Sequence, residues 1–86
     1  MKIIRRKSFI KSYKALSKKW REKTDTTLRL FLTDPLNPSL RNHALKGKLK
    51  GLRAISVTSD LRIIFEEKDG YTIVILVCVG THNQVY

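Results

Sequence analysis

The chain has 86 residues, 42% of them hydrophobic, with 18 lysines and arginines against 7 aspartates and glutamates, a formal net charge of +11. That length leaves room for one domain, residues 1–86, burying roughly 60% of the surface its unfolded chain exposes, and none for a second. So large a cationic excess on so small a body favours a polyanionic partner, nucleic acid first, although charge alone names no activity.

In chain order, Lys2-Ile3-Ile4-Arg5-Arg6 reads as a short strand, followed by Ser8 in position to cap a helix beginning at Phe9. Phe9, Tyr13 and Leu16 follow the spacing of one helical face. A second helix is expected from Ser17 to Thr33, with Trp20, Leu28, Phe31 and Leu32 toward the core and Asp34-Pro35 as its stop. The two make a helical hairpin. Asn37-Pro38 opens a stretch through Gly51 with little apolar periodicity, read as a loop with space for one helical turn. Strands follow at Arg53–Val57, Leu61–Glu66 and Tyr71–Val79, with turns at Thr58-Ser59-Asp60 and Lys68-Asp69-Gly70.

The order βααβββ implies an α+β fold in which the hairpin packs on a small, mainly antiparallel sheet. Leu61, Ile63 and Phe65 alternate with Arg62, Ile64 and Glu66, so one face of that strand is buried and the other presents Arg62. The last strand is apolar on both faces and therefore central. Helices cover one face of the sheet, and the opposite face has room for a groove beside the basic loop.

Residues 1–21 hold nine cations and no acid, and residues 35–59 hold five cations and no acid, so two basic patches are expected. A solvated basic face, or one neutralised by an acidic partner, is the alternative. Cys78 is the only cysteine and lies inside an apolar strand, which makes it a small core residue rather than a nucleophile. With no internal disulfide and no signal-peptide pattern, a cytoplasmic location is expected. The apolar run around it is too short to span a bilayer, so no membrane is implicated.

The ending Gly80-Thr81-His82-Asn83-Gln84-Val85-Tyr86 carries an imidazole and an aromatic ring out of a rigid strand. The other histidine, His43, lies among the cations of residues 41–51. RNA cleavage without a metal needs a base for the ribose 2′-OH, cations for the transition state and an acid for the leaving 5′-oxygen. His43 and His82 are candidates for base and acid, with Asp60 as orienting group or alternative base. Arg62, Lys46 and Lys50 are candidates for charge stabilisation, with Lys48 and Arg53 as further RNA contacts and Tyr86 as a stacking platform. Each has a structural alternative. The histidines can be surface residues, Arg62 can pair with Asp60 or a glutamate, Tyr86 can cap the core, and the loop lysines can line a solvated edge. Neither an HxxxH pair nor a close ligand cluster supports a metal, and no cofactor is expected.

Asn37-Pro38, His43-Ala44-Leu45-Lys46-Gly47, Lys50-Gly51-Leu52-Arg53, Val57 through Phe65 and the ending Gly80 to Tyr86, in that order, resemble the RelE/YafQ superfamily of bacterial type II toxins, most closely its YafQ branch of mRNA interferases. The resemblance implies a compact microbial RNase-like fold, cleavage of mRNA in the ribosomal A site and neutralisation by a cognate antitoxin in a toxin–antitoxin hetero-oligomer. It also assigns functional positions to His43, Asp60, His82 and Tyr86, and the phosphate-stabilising arginine of the wider group to Arg62. Two positions depart from the YafQ pattern, where Ser56 and Ala54 stand in place of a histidine and an aspartate. The same scaffold hosts ParE-like toxins that bind DNA gyrase and cleave no RNA. This is the alternative function; a basic RNA-binding module without catalysis would leave the ending unexplained.

Overall fold

A computed structural model describes all 86 residues as three helices around a five-stranded mixed sheet. The elements are β1 (Lys2–Arg5), α1 (Lys7–Lys14), α2 (Lys18–Thr33), β2 (His43–Ala44), β3 (Arg53–Ser56), β4 (Leu61–Lys68), β5 (Ile73–Thr81) and α3 (His82–Val85), with 3-10 turns at Pro38–Leu40 and Gly47–Leu49. Strand order is β1-β5-β4-β3-β2. β1 runs parallel to β5, and every other pairing is antiparallel. The α+β class, the helical pair and the mainly antiparallel sheet are as the residue patterns imply.

β5 is an interior strand, as its two-sided apolar character requires, flanked by β1 and β4, while the middle place in the sheet belongs to β4. The core face carries Ile55 from β3, Leu61, Ile63 and Phe65 from β4, and Val74, Leu76 and Val79 from β5, all buried against Phe9 and Phe31. Phe31 from α2 meets Phe65 edge-on at 4.9 Å between ring centroids. Burying a side chain of that size contributes about 1.5–3 kcal/mol, so this contact anchors α2 to the sheet. Ser17 caps α2 by accepting from the Trp20 N–H at 3.2 Å, and Asp34 ends it.

Several details differ from the sequence reading. α1 starts at Lys7 with Arg6 at its N-cap; Ser8 lies inside the helix and its hydroxyl donates to the Val77 carbonyl of β5, so it ties the helix to the sheet instead of capping it. Leu32 is 44% exposed, since it sits one residue, about 100°, round the helix from the fully buried Phe31. The segment read as a loop contains the short strand β2, paired to β3 through His43 and Ala54. β3 stops at Ser56, whereas β4 runs on to Lys68, and β5 starts at Ile73 because Tyr71 adopts positive φ in the preceding turn. The tail after Thr81 turns into α3 and does not prolong the strand. No helix is long and apolar enough to cross a membrane.

α1 and α2 are tied by the Tyr13 hydroxyl, which donates to Asp25 Oδ1 at 2.7 Å. That bond, with desolvation and the Asp25 charge behind it, raises the Tyr13 pKa above the ordinary 10.0. The native state thus holds the phenolic proton more tightly than the unfolded chain does. The stability this supplies is complete below pH 10.0 and is lost as pH rises from there through the raised native value. Tyr13→Phe should cost about 1 kcal/mol near neutral pH. Urea unfolding at about pH 8 and about pH 11 should show the wild-type advantage shrinking in alkali, and an advantage that grows there would contradict the pair.

Candidate active site

The sheet face opposite the helix pair is built from side chains one residue out of phase with the core. Register places His43 beside Ala54, Ala54 beside Ile64, and Ile64 beside Cys78. Two residues along, Ser56, Arg62 and Gly80 form the next row on the same face. Ile64 and Ala54 are buried although they face away from the core, so this side of the sheet is covered as well. The segment after β2 and the helical turn α3 stand over it and bound a cleft of about 430 Å³ lined by Leu45, Lys46, Lys48, Leu49, His82 and Tyr86.

One wall is the basic segment. Leu45 N–H donates to the Leu52 carbonyl at 2.9 Å, which closes the loop on itself. Gly47 and Gly51 both adopt positive φ, a conformation that costs other residues energy, and they frame the short turn that carries Lys48. The other wall is α3. His82 opens it and Tyr86 caps its end four residues on, so their rings stand one above the other and meet edge-on with centroids 4.3 Å apart. Tyr86 is 45% exposed, so it does not cap the core.

The remaining candidates surround this cleft without lining it. Asp60 occupies the β3–β4 turn and is exposed; because Leu61 pairs with Thr81, Asp60 is the residue across the ladder from the start of α3 at His82. Arg62 is half-buried and its Nη1 donates to the Thr58 carbonyl at 2.9 Å. It pairs with no acid, for the only ion pair joins Arg6 and Glu66 at 3.9 Å. His43 is exposed on the outer strand β2, with Nδ1 2.8 Å from the Arg41 carbonyl. A carbonyl can only accept, so Nδ1 carries the proton of that contact and Nε2 of the neutral ring is left with its lone pair. His43 is on the edge strand β2, and β3 and β4 lie between it and β5, from whose end α3 carries His82.

Lys50 is exposed on the same segment as Lys46 and Lys48 but does not line the cleft. Arg53 is half-buried and turned elsewhere: its Nε donates to Asn42 Oδ1 at 2.9 Å, while Asn42 Nδ2 donates to Tyr71 Oη and to the Pro35 carbonyl, each at 3.0 Å. Arg53 thus braces the base of the basic segment through Asn42, a residue without a sequence signal of its own. Gly80 and Gln84 also went unread, although Thr81 followed three residues later by Gln84 is a helix-start pattern. Burial pushes the Cys78 thiol up, which keeps it protonated and unreactive at neutral pH. No three His, Cys, Asp or Glu side chains gather as metal ligands.

Structures similar to this one include YafQ from E. coli strain BL21(DE3), with 23% identity over 98% of this chain and 96% of that one and a TM-score of 0.83. The E. coli DinJ–YafQ toxin–antitoxin complex matches with 25% identity over 98% and 94% of the chains and a TM-score of 0.80. The YoeB/ParE toxin from Agrobacterium tumefaciens shares the fold at 18% identity over 95% and 99%, with a TM-score of 0.77. No curated protein matches the sequence. The family model described as "Bacterial toxin of type II toxin-antitoxin system, YafQ" matches residues 1–86, so the chain belongs to the YafQ family of type II toxin–antitoxin toxins.

Proposed function

We propose that this toxin is a ribosome-dependent mRNA endoribonuclease that cuts by metal-independent acid–base chemistry and thereby inhibits translation in the cytoplasm. The observation that carries the reading is the cleft, with a titratable ring and an aromatic ring on one wall and two unpaired lysines on the other. The ribose 2′-OH loses its proton to a base and its oxygen attacks the adjacent phosphorus. As that bond forms, the bond from phosphorus to the 5′-oxygen breaks, and an acid supplies the departing oxygen with a proton. The products are a 2′,3′-cyclic phosphate and a 5′-hydroxyl.

His82 is the acid, being the imidazole on the cleft wall. The base is His43 or Asp60. His43 is favoured by its free Nε2, Asp60 by its place across the ladder from His82. Lys46 and Lys48 hold the RNA phosphates, with Lys50 extending the basic strip, and Arg62 offsets charge developing at phosphorus. Arg53 contributes through Asn42 and not by touching RNA. The E. coli DinJ–YafQ toxin–antitoxin complex supports a cognate antitoxin as partner, and the charge of this surface calls for an acidic or amphipathic segment to cover it.

The second reading is a ParE-like gyrase inhibitor, which the fold shared with a YoeB/ParE toxin accommodates. Inhibition by binding has no evident need for an imidazole and a stacking ring facing a basic wall, so the cleft favours the nuclease. In a translating extract the protein should create RNA ends carrying a 2′,3′-cyclic phosphate or a 3′-phosphate. Cleavage should persist in EDTA when free magnesium is held at a level that keeps ribosomes intact. Absence of new ends together with inhibition of purified gyrase would replace this reading with the second.

His82→Ala should fold, bind antitoxin and lose about 10²- to 10⁴-fold in cleavage rate, the range expected for one proton-transfer group. Of His43→Ala and Asp60→Asn, the variant that loses a similar factor identifies the base. Wild-type cleavage by His82→Ala would remove the acid assignment.

Tyr86→Ala should lower cleavage about tenfold or more, since stacking of one base on an aromatic ring is worth about 1–3 kcal/mol. The melting temperature should scarcely change, because the ring is 45% exposed. Tyr86→Phe should stay active. A large fall in melting temperature with proportionate loss of cleavage would make Tyr86 a packing residue instead.

A further inference from the structure

We propose that Gly80 and Gln84 are positioning residues that fix the His82–Tyr86 pair in the cleft; the catalytic half of this inference rests on the ribonuclease reading, the geometric half does not. α3 has four residues and none of them is buried. A helical turn of that length has no stability of its own in water, so something must hold it. Two contacts do. Gln84 reaches back over its own turn, and its Oε1 accepts from the Thr81 N–H at 2.9 Å, satisfying a donor that the start of a helix otherwise leaves without a partner. Beneath it, Gly80 leaves the space in which Gln84 and Val85 lie against β5.

The need for glycine at position 80 is spatial. A Cβ there would lie 2.9 Å from Gln84 Oε1, 3.2 Å from Gln84 Cβ and 3.2 Å from Val85 Cγ1, and Gly80 is buried. The atom nearest to the added methyl is the acceptor that holds the turn, so relieving the clash displaces the reach-back bond. Gln84 does not line the cleft, whereas the two rings that do are carried on the turn it closes. Gly80 and Gln84 therefore act through His82 and Tyr86.

Gln84→Met keeps the length of the side chain and removes the acceptor, while Gln84→Glu keeps an acceptor for the Thr81 N–H. Proton NMR of the full chain reads the geometry as cross-peaks between the His82 and Tyr86 rings. Gln84→Met should lose these cross-peaks and drop kcat for mRNA cleavage about tenfold or more, as small misplacements of catalytic groups do, with ribosome affinity unchanged. Its melting temperature should stay within about 4 °C of wild type. Gln84→Glu should keep the cross-peaks and stay within about threefold of wild-type kcat. Gly80→Ala should behave as Gln84→Met does. Retention of the cross-peaks in Gln84→Met, or their loss in both Gln84 variants, would overturn the positioning role. Lost cross-peaks with wild-type kcat would overturn its catalytic consequence. If the wild-type protein cleaves no RNA, the ribonuclease reading fails and the cross-peaks still decide the geometry.

Discussion

The arrangement of both sheet faces depends on one irregularity in the β4–β5 ladder: Ile64 pairs with Cys78, but Phe65 pairs with Leu76, so Val77 has no partner. The extra residue shifts the parity of β5. Before it, Val74 and Leu76 enter the core, and after it Val79 does. β4 keeps a single parity throughout, with Leu61, Ile63 and Phe65 all inward. An unbulged β5 that kept Val74 and Leu76 inward would send Val79 to the far face and turn Gly80 toward the helices. α3 would then meet Val79 and Thr81 where it now meets a glycine. The core and the cleft therefore make opposite demands on the two halves of one strand, and the bulge satisfies both.

How much of this was legible in the chain follows from the range of the interactions involved. β4 announces itself by alternation, and α2 by Ser17 at its start and Asp34-Pro35 at its end, because those signals are local. Leu32 misled because an apolar stripe has edges that periodicity cannot place. β2 is two exposed residues that exist as a strand only through pairing with β3. α3 has no apolar run, and its support comes from Gly80 on the strand behind it. In the site, His82, Tyr86, Lys46 and Lys48 were singled out by residue type and converge on one cleft. Arg53 was read as one more cation of the basic segment because its partner, Asn42, is defined only by tertiary structure.

Charge and stability are largely separate in this molecule. A single solvent-exposed ion pair, worth about 0–1 kcal/mol, is the only salt bridge among 18 cations and 7 acids. Stability rests instead on the apolar cluster around Phe31 and Phe65 and on hydrogen bonds such as Tyr13 to Asp25. The uncompensated cations repel one another, which costs the compact state something and raises its attraction for any polyanion. Salt should thus weaken polyanion binding much more than it weakens the fold, since screening acts on long-range exposed charge and leaves apolar burial in place.

The exposure of these groups bears on why such an enzyme would depend on the ribosome. On the ribonuclease reading, His82 works from one wall of the cleft, whereas His43 is exposed on the edge strand β2 and does not line it. Asp60 is exposed in a turn, and no salt bridge fixes its carboxylate. The basic wall is braced by the Asn42–Arg53–Tyr71 network and α3 by Gln84, so the protein fixes its own groups without enclosing a nucleotide. A free RNA would sample many conformations over this open surface, few of them with the 2′-oxygen, phosphorus and leaving oxygen in line. On that reading, a ribosome holding the message in one conformation would supply the orientation that the cleft lacks, and the toxin would then need only to add an acid, a base and its cations along a backbone already in place.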